Sequence, residues 1–192
     1  MTMIGSANEA QAGQIAQGGD ALLAFLRYDT APDGDLALAR FARGLLNRGR
    51  RVAGVIQSDR PRPGRRKCDM ILENLATGET ICISVDRGDE ARGCRLDHAA
   101  LAEATLWVER ALTLNPEVLV LNKFGKEEAL GRGFFPAMVE ALALGIPVVP
   151  GVSALNLAAA QTLTGGIATL IEPRDTALDD WFDARAIAAD SG

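Results

Sequence analysis

Leu119-Val120-Leu121-Asn122-Lys123-Phe124-Gly125-Lys126-Glu127-Glu128 is the stretch whose reading decides the fold. Residues 117–121 read as a short buried strand, and the apolar run halts at one amide, two lysines and two glutamates. A brief apolar run bounded by polar residues fits a strand covered on both faces, as in parallel sheets. Ligands of open α/β sheets sit in the crevice beyond the carboxyl ends of the strands. Phe124-Gly125, inside the polar cluster, sets this segment apart from an ordinary solvated strand-to-helix loop. The expectation is a core strand whose end carries a site.

Working outward, the same alternation recurs. Residues 21–28 (Ala-Leu-Leu-Ala-Phe-Leu-Arg-Tyr) read as a first strand, 29–34 as a turn, and 35–47 as a helix stopped at Arg48-Gly49. Residues 51–57 complete a right-handed βαβ unit. Ser58 to Lys67 carries five cations and no apolar residue, and reads as an exposed loop. Residues 69–75 and 79–85, joined by Ala76-Thr77-Gly78, read as a hairpin. Asp97 is placed to cap a helix over 98–112. Helices over 134–144, 154–163 and 178–189 then alternate with strands over 146–150 and 167–171. Together these predict an α/β fold: a mostly parallel central sheet with helices on both faces and a small antiparallel hairpin insertion. Residues 1–19, rich in Gly, Ala, Gln and Ser, are expected to be a disordered tail, and residues 20–192 a single domain.

Composition narrows the function classes. A net charge of −5 gives no global basic field for nucleic acid, and 5% aromatic residues leave few stacking platforms. No run of about 18 apolar residues is present, so no membrane insertion is expected. Three cysteines without a C-x-x-C pair, and one histidine, argue against a zinc site and multi-histidine metal sites, and fit a reducing cytoplasm.

Two further segments carry candidate chemistry. In the turn after the first strand, Asp29-Thr30-Ala31-Pro32-Asp33-Gly34-Asp35-Leu36, Asp35 stands where a Walker-type loop needs lysine, and Leu36 where it needs the Mg²⁺-binding hydroxyl. Free N–H groups near Gly34 still offer an anion site; equally, Asp33 or Asp35 caps the helix and nothing binds. In Arg92-Gly93-Cys94-Arg95-Leu96-Asp97, two arginines before a helix suit an oxyanion, and the same surroundings favour a thiolate at Cys94. The basic loop 60–67 is either a lid over an anionic ligand or a solvated charge run.

The strand end resembles the acidic motif of the thermophilic-type nucleoside-triphosphatases, which place Asp-Glu-x-Gly-Lys there. Gly125 and Lys126 match, while Asn122 and Lys123 replace the acidic pair. The chain from Ala21 onward is similar to an uncharacterised bacterial family related to those phosphatases. That likeness rests on Asn122-Lys123-Phe124-Gly125-Lys126-x-Glu128, Gly131-Arg132-Gly133-Phe134, Cys68-Asp69-Met70 and the Arg92–Asp97 segment. It implies a P-loop-NTPase-like fold with a degenerate Walker loop, and a link to molybdenum, since such proteins are often encoded beside molybdate-transport genes. The expected function is binding of a small oxyanion of the molybdate or tungstate kind, without a metal site. Gly34, Arg92, Cys94, Arg95, Asn122, Lys123 and Lys126 are the candidate ligands, with Asp29, Glu128 and Arg132 as further ones. Molybdate-transport or molybdenum-cofactor proteins are the expected partners. The alternative is a nucleoside-triphosphate enzyme, in which a lysine at 123 or 126 replaces the missing one and Asp29 or Glu128 holds Mg²⁺.

Overall fold

The computed structural model describes residues 21–61, 63, 68–85, 96–174 and 176–190, side chains of 186–190 excepted. The tail 1–19, most of the basic loop, and Arg92, Cys94 and Arg95 lie outside the described residues. In chain order the elements are β1 (Ala24–Tyr28), α1 (Ala31–Asn47), β2 (Val52–Arg60), β3 (Asp69–Asn74), β4 (Thr80–Cys82), α2 (His98–Leu112), β5 (Val118–Phe124), α3 (Lys126–Ala129), α4 (Phe135–Ala143), β6 (Val148–Ser153), α5 (Ala154–Leu163), β7 (Thr169–Ile171) and α6 (Ala177–Asp190).

The seven strands form one sheet in the order β4-β3-β2-β5-β6-β1-β7. Pairing from β2 through β5, β6 and β1 to β7 is parallel, and β3 and β4 add an antiparallel hairpin at one edge. The predicted architecture is the observed one. Alternation along β5 shows how the two faces are filled. Leu119 and Leu121 join a core with Leu101, Ala104 and Val108 of α2 and Met138 of α4. Val118 and Val120 point the other way, into a core with Leu38, Phe41 and Leu45 of α1 and Trp181 and Phe182 of α6. With residues 118–121 no more than 1% exposed, truncating Leu121 to alanine is expected to cost about 2–5 kcal/mol.

Three boundary differences bear on the site. Helix α1 begins at Ala31 rather than Asp35: Pro32 fits the first helical turn, where its missing N–H is no loss. Gly34 is thereby a helix residue whose N–H donates to the Thr30 carbonyl at 3.3 Å. A Cβ at Gly34 would lie 2.3 Å from the Tyr28 ring, so close packing accounts for the glycine. Strand β2 runs on through Ser58, Asp59 and Arg60, paired with Ile71, Met70 and Asp69. Backbone pairing, which needs no apolar side chain, extends it into the segment read as loop. Strand β5 continues to Phe124, with an irregular register against β6 between Leu121 and Phe124.

The pairing of β2 with β5 runs from Val52↔Val118 to Val55↔Leu121. Beyond it, β2 continues with β3, and β5 with β6. The two strands therefore part at Val55 and Leu121, which opens a gap at the carboxyl end of the sheet. Among the described residues, no helix is long and apolar enough to cross a membrane.

Candidate functional site

Asn122 is the first residue of β5 past that parting, and it is 1% exposed. Its Nδ2 donates to Asp35 Oδ1 at 2.9 Å, which brings the polar end of β5 against the first turns of α1. That bond fixes the amide's orientation, and its other atom, Oδ1, is buried with no hydrogen-bond partner. A buried acceptor left unpaired costs about 1–3 kcal/mol, so it marks a place where a donor belongs.

Asp35 is half-buried. Burial raises its carboxyl above the ordinary value, and the Asp59 charge adds to this, while the Asn122 amide and the Lys123 ammonium pull it down. Asp59 in turn accepts from Gln57 Nε2 at 3.1 Å. Burial also raises the Tyr28 phenol, with the Asp35 charge contributing. Asp35, which by sequence position stands where a Walker-type loop has lysine, lies inside α1, its carboxylate held by the Asn122 amide.

The loop after β5 is organised by Glu128. This 5%-exposed carboxylate accepts from the Gly125 N–H at 2.9 Å through Oε2 and from the Phe134 N–H at 3.0 Å through Oε1. Burial raises its carboxyl, and the backbone N–H groups oppose that rise. Gly133, at φ 57°, passes so close that a Cβ would stand 2.2 Å from Glu128 Oε1. Glu127 takes the Arg132 guanidinium, with Nε to Oε2 at 3.0 Å and Nη2 to Oε1 at 3.4 Å. Asp29, at the end of β1, pairs with Arg27 at 2.9 Å, and Arg27 also holds Glu172 at 3.0 Å.

These contacts sort the expected site residues. Asn122, Lys123 and Lys126 come together at the end of β5. The Gly34 amide is committed within α1, so it is not a free anion donor. Both oxygens of Glu128 are taken by backbone amides, which leaves it unsuited to hold Mg²⁺. Asp29 and Arg132 are each paired with a neighbouring charge. Among the described residues, no group of three or more His, Cys, Asp and Glu is placed to hold a metal ion. Neither Lys123, half-buried, nor Lys126, exposed, makes an ion pair or hydrogen bond with a described residue.

The gap between β2 and β5 leads into a cavity of about 560 Å³. Its walls are Met70 and Leu72 of β3, Ile83, Leu96, Leu101 of α2 and Phe134; Gln57, Asn122, Lys123, Lys126 and Glu127 give it a polar side. The apolar lining belongs to the core on the α2 and α4 face, opposite α1. Met70, Leu96 and Phe134 fall within the segments that carry the family likeness, but neither they nor Leu72, Ile83 and Leu101, which read as ordinary core, stood out as part of a site. Only the β2–β3 pairing, which places Met70 against Asp59 and Leu72 against Gln57, could have signalled them.

The seven-stranded α/β sheet, with its antiparallel pair and a crevice at the carboxyl ends, is a P-loop-NTPase-like fold. A crystal structure of THEP1 from the hyperthermophile Aquifex aeolicus shares this fold, with a TM-score of 0.57 over 83% of this chain and 94% of that one, at 14% identity. The chain belongs to the family described as "protein of unknown function (DUF2478)", whose model matches residues 23–181. It is also 34% identical over 160 residues to the molybdenum import ATP-binding protein ModC 2 of Bradyrhizobium diazoefficiens. That match takes in 83% of this chain but 18% of the relative's length.

Proposed function

We propose that this protein binds a small anionic ligand at the end of β5 without hydrolysing a nucleotide, and that its role lies in molybdenum handling. One observation carries the first part: Asp35, hydrogen-bonded to Asn122, puts a carboxylate against the polar end of β5, at the sequence position where a Walker-type loop has lysine. A carboxylate there repels a polyphosphate rather than neutralising it. Among the described residues, the positive charge left for a ligand is on Lys123 and Lys126, beside the cavity mouth. The molybdenum link draws on the likeness to the import protein, and molybdate and tungstate are accordingly the first anions to test. Proteins of molybdate transport or of molybdenum-cofactor handling are the partners this reading implies.

Calorimetric titration with molybdate, tungstate, sulfate and phosphate tests it. A saturable heat is expected with at least one of them, and Lys126→Ala is expected to weaken it about tenfold, or about 1.4 kcal/mol. The absence of heat with all four overturns a bare inorganic oxyanion as the ligand. A second reading, a nucleotide-binding protein, is supported by the fold and by a cavity within the usual small-molecule range. Phosphate release from Mg-nucleoside triphosphates above background, abolished by Lys126→Ala, would favour an enzyme over a binder.

A further inference from the structure

We infer that the ligand of this site is an organic anion: an apolar, ring-sized body in the cavity, an N–H or O–H donor to Asn122 Oδ1, and an acidic group at Lys123 and Lys126. The inference rests on the anion-binding reading and names the class of anion.

Volume is the first argument. About 560 Å³ falls within the range of about 300–1,000 Å³ usual for organic ligands. A liquid water molecule takes about 30 Å³, so a bare tetrahedral oxyanion would leave most of the space to solvent. Lining chemistry is the second. Met70, Leu72, Ile83, Leu96, Leu101 and Phe134 offer nothing to an inorganic oxyanion, whose oxygens need donors on every side. The same wall removes water from a ring system, at about 25 cal/mol for each Å² of apolar surface buried.

Asn122 is the third and independent argument. It lines the cavity and is almost fully buried, and with Nδ2 spent on Asp35 its unpartnered atom is an acceptor with under 1 Å² open to water, which a ligand's donor reaches as the cavity wall gives way. Molybdate, tungstate and sulfate carry only acceptors at neutral pH and cannot satisfy it; a ligand with an N–H or O–H can. Charge placement is the fourth. Glu128 is enclosed by two backbone amides and Glu127 is paired with Arg132, so the lysines are the charges at the mouth without a direct partner among the described residues.

Anilinonaphthalene sulfonate has all three parts: fused and single rings, an anilino N–H and a sulfonate. The test is fluorescence titration of the folded protein with this dye, beside calorimetry with molybdate and sulfate. One dye per chain is expected, on protein that still melts cooperatively. Met70→Trp, which fills the cavity from β3, and Leu101→Phe, which fills it from α2, are each expected to reduce affinity at least tenfold. Lys126→Ala is expected to reduce it about tenfold. The N-methyl derivative of the dye, which keeps both rings and lacks the donor, is expected to bind about tenfold more weakly.

Dye binding unchanged in both filled variants overturns the inference, as does equal binding of the N-methyl derivative. If one filled variant fails to melt cooperatively, the other decides. Molybdate binding without dye binding overturns the inference and leaves the anion reading standing. Dye binding that depends on Lys126, with no heat from inorganic anions, supports the inference and overturns the bare-oxyanion reading.

Discussion

Asp35 and Glu128 are both carboxylates withdrawn from water near the end of β5, and burial raises the proton affinity of each. Their surroundings differ in kind. Each Glu128 oxygen receives a backbone N–H, from Gly125 and from Phe134, so the side chain ties the start of the loop to its end. Asp35 receives one side-chain amide, has Asp59 working against it and Lys123 working for it, and stands beside an acceptor that nothing satisfies. A buried charge whose partners are all backbone belongs to the architecture. One whose partners are side chains, with a polar atom left over, belongs to a site. Sequence position separates the two poorly, since Glu128 lies inside the polar cluster that drew attention first and Asp35 lies 87 residues from its partner.

The sharpest way to break this contrast is Glu128→Ala. It leaves two backbone N–H groups without an acceptor, and at about 1–3 kcal/mol for each the loss is expected to be about 2–6 kcal/mol in urea unfolding. A loss below about 1 kcal/mol would remove Glu128 from the architecture. Gly133→Ala probes the same carboxylate from outside. Its Cβ would intrude on Oε1 at a left-handed φ of 57°, and a cost of about 1–3 kcal/mol is expected from the midpoint of the same transition.

Asp35→Asn probes the other side and is the mildest change. A carboxyl whose folded value is raised favours folding fully below its unfolded value, near 4, and that contribution is lost as pH rises through the raised folded value. The asparagine never ionises and still accepts from Asn122. Wild type and variant are therefore expected to have matching stability in acid, with the variant drawing ahead as pH climbs above about 4. Urea midpoints measured from pH 3 to pH 8 check this, and a wild-type advantage that grows with pH would contradict it. The same variant is expected to bind an anion about threefold more tightly, because a like charge is gone from the crevice.

Much of the fold was legible because it depends on short-range pattern. Apolar runs gave the strands their places, and Asp97 caps α2 through the Ala99 and Ala100 N–H groups, as its position before the apolar-periodic segment predicts. Pro32 and Gly34 misled because both are turn residues by habit. Here the proline opens a helix, and the glycine clears space for an aromatic ring from the preceding strand. The extension of β2 across Gln57 to Arg60 was hidden because its cause is a partner strand, not its own side chains. Asn122, Lys123 and Lys126 were visible as a dense polar cluster. Asp35 was visible too, but as a defect in a phosphate-binding loop. Its bond to Asn122 depends on how α1 crosses the sheet, which no local pattern records.

The parting of β2 from β5 has a mechanical side. Val55 pairs with Leu121 on one edge and with Asn74 on the other, and is the only residue of β2 paired with both strands. Before it, the strand is braced by the parallel sheet; after it, by the hairpin alone. β2 is thus a beam with two supports that overlap at a single joint. A change of angle at that joint would narrow or widen the gap with the Val52–Val55 pairing to β5 in place, and would have to carry with it the Leu75 N–H bond to the Gly54 carbonyl and the packing of Leu72 and Ile83 against α2.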